Sequence, residues 1–136
     1  MYPTKVEILE TEHKFKPAVL RLVKEWKRDI WKDAKATNDS QCIALRMLVT
    51  MLGKVYDKPV NIEFVKGAPT SWYSPKYKTI YLTNPYSIIS ALHELAHHLF
   101  GANELKACHW SVWLFKKTFP QAFHKLKWEG HMLKKV

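Results

Sequence analysis

The segment S-A-L-H-E-L-A-H-H-L-F-G-A-N-E-L-K-A-C-H-W, Ser90 to Trp110, sets four histidines and two glutamates in a run that otherwise reads as apolar helix. Burying imidazole or carboxylate without a partner is costly. Whatever fold the chain adopts must therefore bring partners to these groups. The punctuation of the segment is clear. Gly101 is the expected C′ residue of a helix running from about Pro85 to Phe100, with Asn84 as N-cap and Pro85 at N1. Asn103 is positioned to cap a second helix through about Phe119.

His93, Glu94 and His97 spell H-E-x-x-H. At 3.6 residues per turn, His93 and His97 stand one above the other on one helix face, so both imidazoles can reach one ion. Glu94 is rotated about 100° from His93, which suits it to hold a water beside that ion better than to ligate it. Zinc fits such a site, with two or three nitrogen ligands and an open position. A water there is acidified, and the adjacent carboxylate can take its proton. These are the parts needed for metal-assisted amide hydrolysis, with Glu94 as general base.

Zinc needs a further protein ligand, and His98, Glu104 and His109 are the candidates. His98 points about 100° away from His97, which suits a supporting or surface role. Glu104 falls in the first turn of the next helix, where the helix dipole alone accounts for a carboxylate. His109 is favoured by height. In a helical hairpin, His97 lies about 6 Å and His109 about 9 Å from the turn, on facing surfaces. Glu104 stays open as the alternative. Cys108 is read as a packed thiol.

The rest of the chain predicts a single α+β domain over residues 1–136. K-P-A-V-L-R-L-V-K-E-W-K-R-D-I-W is an amphipathic helix with Pro17 in its first turn and Val19, Val23, Trp26 and Ile30 on one face. A second helix starts near Asp39 or Ser40 and carries Ile43, Met47, Leu48, Met51 and Leu52, with Gly53 tolerable near its end. Val60–Val65 reads as a strand, and Trp72–Tyr73 with Thr79–Leu82 as a hairpin, together a small antiparallel sheet. Pro120 opens a last helix through about Leu133 that docks Phe123, Leu126 and Leu133.

The formal charge is +10, from 22 basic and 12 acidic residues. It is concentrated in Lys14–Lys35, with eight basic and three acidic residues, and in Lys106–Lys135, with seven and one. Such a balance favours an acidic partner: nucleic acid, an anionic membrane or an acidic protein. Trp26, Trp31 and Trp128 lie among the lysines, where aromatic rings can stack on bases, although Trp26 fits the core stripe better. Tyr73, Tyr77 and Tyr81 are possible oxyanion donors that also suit plain packing. No apolar run reaches the ~20 residues that span a bilayer. The N-terminus lacks a signal peptide's apolar segment. Cys42 and Cys108 are too few for a disulfide framework or a four-cysteine zinc ribbon. The expectation is a cytoplasmic protein with no membrane contact.

The stretch K-T-I-Y-L-T-N-P-Y-S-I-I-S-A-L-H-E-L-A-H-H-L-F-G, continued by H-W-S-V-W-L-F-K-K-T-F-P, resembles the SprT-like zinc metalloprotease domain, the group that includes the Spartan-type proteases acting on DNA–protein crosslinks. The resemblance covers roughly residues 72–120. It implies a zincin-like minimal metalloprotease fold: N-terminal helices, a small antiparallel sheet, the H-E-x-x-H helix and C-terminal helices. It also implies a zinc peptidase acting on protein substrates near DNA, with His93, His97 and His109 on the metal and Glu94 as base. Trp110 stands where that family usually has Gly after the third His, and the cysteines of its C-terminal zinc ribbon are missing. Two other readings remain. One is a DNA-binding module with a structural or inactive zinc site. The other is an ImmA-like regulatory peptidase, with Glu as third ligand and a repressor as substrate.

Overall fold

The computed structural model describes residues 2–135. Thr4 caps a short helix α1 (Lys5–Glu10) through a reciprocal capping box with Glu7. The amphipathic stretch forms α2 (Pro17–Trp26), with Pro17 in the first turn. It continues through a π-turn over Lys27–Trp31 and a final turn α3 (Lys32–Ala34). The π-turn brings Trp31 flat against Trp26, with ring centroids 5.3 Å apart. Trp26 itself is buried and its indole N–H donates to the Ala44 carbonyl at 2.8 Å. Helix α4 (Asn38–Val55) starts from Thr37 rather than Asp39 or Ser40; the Thr37 hydroxyl accepts from the Ser40 amide. Its Leu45, Leu48, Val49 and Leu52 enter the core.

The sheet corrects an expectation. β1 (Asn61–Val65) and β3 (Thr79–Thr83) pair in parallel, Ile62 opposite Ile80, while β2 (Trp72–Ser74) pairs antiparallel to β3 from its other side. The order β1-β3-β2 makes the sheet mixed, not antiparallel. Ile62, Ile80 and Leu82 are buried, and helix α5 (Ile88–Phe100) packs on β2 and β3. α5 begins three residues later than expected. Ser87 is its N-cap, accepting from the Ser90 amide, so Asn84 and Pro85 belong to the preceding loop.

Gly101 ends α5 with φ +95°, a conformation that side chains disfavour. Asn103 then caps α6 (Glu104–Thr118), its side chain accepting from the Lys106 amide at 3.0 Å. The two helices pack as a hairpin, and Leu92, Leu95, Trp110 and Leu114 are fully buried. The C-terminal expectation also needs correction. α7 (Pro120–His124) is one short helix, followed by a two-stranded hairpin, β4 (Leu126–Glu129) and β5 (Met132–Lys135). Gly130, at φ +61°, makes the two-residue turn with His131. Phe123 and Leu133 are buried as foreseen, but Leu133 reaches the core from a strand. Among the described residues no helix is long and apolar enough to cross a membrane.

Gly53 matters for close approach. A Cβ there would lie 2.9 Å from the Lys58 carbonyl oxygen. That carbonyl belongs to the backbone, so the contact cannot be relieved by a rotamer change. Alanine favours a helix over glycine by about 1 kcal/mol, but overpacking costs about 1–3 kcal/mol. Gly53→Ala is therefore expected to destabilise the fold by roughly 1 kcal/mol net, read as a lower urea midpoint at unchanged m-value.

Candidate metal centre

Glu104 is the hub of the site. Its Oε1 lies 2.8 Å from His97 Nε2, and its Oε2 lies 3.2 Å from His93 Nε2 and 3.8 Å from His131 Nε2. The helical turn stacks His93 and His97, with ring centroids 4.9 Å apart and planes nearly perpendicular. The tight Gly101–Asn103 connection brings the first residue of α6 back over that face. Glu104 so occupies the position expected of a third ligand.

His109 does not join this cluster. Its Nε2 donates to the Thr11 carbonyl, and its ring lies 5.3 Å from that of His13. The reason is azimuth. His109 follows Glu104 by five residues and is turned about 140° from it, so both cannot face α5. Cys108 follows by four and shares the Glu104 side. Similar height on a helical hairpin is not enough to bring two side chains together.

Oε2 of Glu104 is buried and has no hydrogen-bond partner among the described residues. The 3.2 Å separation from His93 is within ion-pair range, but its geometry is not that of a hydrogen bond. Gly101 explains part of this. Its carbonyl only accepts, so the 2.9 Å contact to His97 Nδ1 places a hydrogen on that nitrogen. In the neutral ring, Nε2 then carries a lone pair, and it points at Glu104 Oε1. Burial drives the pKa of His93 down to about 4, against the pull of Glu104. Imidazole nitrogens thus face the two oxygens of one carboxylate at 2.8 and 3.2 Å, a grouping that a cation can share. Adjacent ligands on tetrahedral zinc stand about 3.3 Å apart, which these separations bracket.

The donor set fits a metal ion. Among the described residues, His93, Glu104 and Cys108 form a group whose ligand atoms lie within 4.8 Å of one another. Cys108 Sγ, however, sits 3.8 Å from His93 Nδ1, not the nitrogen facing Glu104. Burial, with Glu104 and Glu94 adding to it, pushes the thiol up to about 12. The thiol thus lies behind His93, while His97 faces Glu104 Oε1.

Glu94 is buried beside the ligand face, 8% exposed, and among the described residues its side chain makes no hydrogen bond or ion pair. Burial raises its pKa to about 8, with the charge of Glu104 adding to the rise. A cation at Glu104 acts in the opposite sense, favouring the ionised form.

His98 has a supporting place. Its Nε2 meets the Lys58 carbonyl at 3.0 Å and must donate, so Nδ1 accepts from the Tyr73 hydroxyl at 2.6 Å. The Tyr73 hydroxyl is thereby committed to His98. Tyr81 stacks on Trp72, and Tyr77 is exposed. A cavity of about 370 Å³ lined by Leu22, Trp26, Ile30 and Met51 includes none of the site residues.

His131 escaped sequence analysis because it was assigned to a helix. The signal for it was W-E-G-H-M, a glycine turn between two apolar-polar alternations, Leu126–Trp128 and Leu133. No protein-family model, curated protein or solved structure matches the chain.

The raised pKa of Glu94 makes a signed prediction for the metal-free protein. The folded state keeps the proton up to about pH 8, whereas the unfolded chain releases it near 4.5. Stability is therefore full below 4.5 and falls as pH rises through 8. Glu94→Gln removes that slope; His93 is common to both proteins. Chemical denaturation is expected to show equal stabilities near pH 4 and an advantage for the variant on the order of 2–4 kcal/mol at pH 8.

Proposed function

We propose that this protein is a zinc-dependent peptidase in which His93, His97 and Glu104 hold the metal and Glu94 is the general base. The observation that carries the reading is the Glu104 carboxylate set against the H-E-x-x-H histidines, its buried Oε2 without a hydrogen-bond partner 3.2 Å from His93 and its Oε1 2.8 Å from His97. Zinc, when bound, supplies a Lewis acid for the scissile carbonyl and a more acidic water. The chain's own residues do the rest. The Gly101 carbonyl fixes the His97 tautomer and ring direction. Glu94, one helical position from His93, takes the proton of the water and delivers it to the departing amine.

A glutamate in the third position is the pattern of the ImmA-like alternative, and it favours a resemblance to those regulatory peptidases over the SprT-like domain. The proposed substrate is a protein. DNA is the proposed accessory partner, supported by the exposed Lys24, Lys27, Arg28 and Lys32 on α2, the π-turn and α3.

Metal analysis and peptidase assays test the reading together. The wild type and His109→Ala are expected to carry one zinc per chain, and Glu104→Ala to lose most of it. Glu94→Gln is expected to keep its zinc and lose cleavage by about 100-fold or more. Cleavage that survives Glu94→Gln, or zinc that depends on His109 and not on Glu104, contradicts the proposal.

A further inference from the structure

His131 is the one site residue contributed from outside the helical hairpin. Its Nε2 approaches the same Glu104 oxygen that faces His93, at 3.8 Å, too long for a hydrogen bond. Two independent contacts hold it there. Its ring lies flat on Tyr2, with centroids 4.2 Å apart and planes within 2°. Its carbonyl meets the Cys108 thiol at 3.8 Å. The residue is therefore set by the N-terminal segment and by α6, not only by its own turn. The hairpin is anchored by Leu133, 4% exposed, and by Trp128, half-buried beneath the Lys5 ammonium at 5.9 Å.

We propose that His131 is a fourth protein ligand of the metal and that the β4–β5 hairpin is a strap that closes the site's open coordination position. This rests on the metal site proposed above. The three Nε2 atoms surround Glu104 at 2.8, 3.2 and 3.8 Å. The longest of these exceeds the roughly 3.3 Å between neighbouring ligands on tetrahedral zinc by only about half an ångström. The rings of His93 and His131, 6.3 Å apart between centroids, converge on the carboxylate from different directions.

The strap has a consequence for regulation. Two imidazoles from α5, one carboxylate from α6 and one imidazole from the hairpin complete a four-coordinate set, and no position is left for water or a substrate carbonyl. Glu94 then has no water to deprotonate. Activity requires the strap to lift. A two-stranded hairpin is marginally stable by itself, so its hold rests on Leu133, Trp128 and the Tyr2 stack. Those contacts are few enough for a substrate or partner protein to displace.

The full chain loaded with Co²⁺ in place of zinc tests this without reference to catalysis. The probes are visible absorption of the bound Co²⁺, azide as an added ligand, and competition with a chelator, on wild type, His131→Ala and Tyr2→Ala. The wild-type spectrum is expected to ignore azide. His131→Ala should shift on azide addition and bind the metal about 10-fold or more weakly. Tyr2→Ala, which keeps the ligand and loosens its ring, should lie between them and serves if His131→Ala folds poorly. Equal metal affinity in all three, with azide taken up by the wild type, overturns the strap and leaves the three-ligand site standing. Failure of the folded wild type to bind Co²⁺ overturns both.

Discussion

The site depends on one carboxylate oxygen, Glu104 Oε2, that the protein buries without giving it a hydrogen-bond partner. An unsatisfied buried acceptor costs about 1–3 kcal/mol, and more when charged. Glu104 Oε2 bears that cost with His93 Nε2 facing it from α5 at 3.2 Å. The arrangement makes sense around a cation. The local structure serves it: Gly101 permits the sharp exit from α5, Asn103 caps the next helix, and Glu104, the next residue, is aimed back at His93 and His97. The position of Glu104 in the first turn of α6 also sets its negative charge near the positive end of the helix dipole.

The scaffold holds these groups through backbone carbonyls. Gly101 orients His97, Lys58 orients His98, and Thr11 engages His109. The Lys58 amide donates to the Gly53 carbonyl at 2.8 Å, and the Lys58 ammonium donates to the Leu99 carbonyl at 2.9 Å. The loop after α4 thus clamps the C-terminal turn of α5 from two sides. Tyr73 extends the same clamp to β2. Residues remote from the ligand set therefore contribute to its geometry, through hydrogen bonds whose direction settles which ring nitrogen is free.

Local signals were legible in the sequence. The H-E-x-x-H spacing, the Gly101 terminus and the Asn103 cap depend on residues within a turn or two of one another, and each is where the pattern put it. Non-local choices were not. Height along a helical hairpin favoured His109, but the azimuth of α6 decides which residue faces α5, and that azimuth follows from the packing of Trp110 and Leu114 in the core. The parallel pairing of β1 with β3 joins segments separated by the whole of β2, which no local spacing encodes. L-K-W-E-G-H-M-L-K-K suits a helix or a hairpin by apolar pattern alone, and only Gly130 tips it toward the turn. At α5, Ser87 outcompeted Asn84 and Pro85 as the start because its hydroxyl reaches the Ser90 amide.

Two descriptions of the metal group differ in one ligand: Cys108 Sγ beside His93 and Glu104, or His97 Nε2 in its place. X-ray absorption at the zinc edge of the zinc-loaded wild type separates them and tests the central claim directly. A shell of nitrogen and oxygen at about 2.0–2.1 Å, with the scattering of at least two imidazoles and no sulfur, is the predicted result. A sulfur neighbour at about 2.3 Å, or a folded protein that retains no zinc, contradicts the site built on His93, His97 and Glu104.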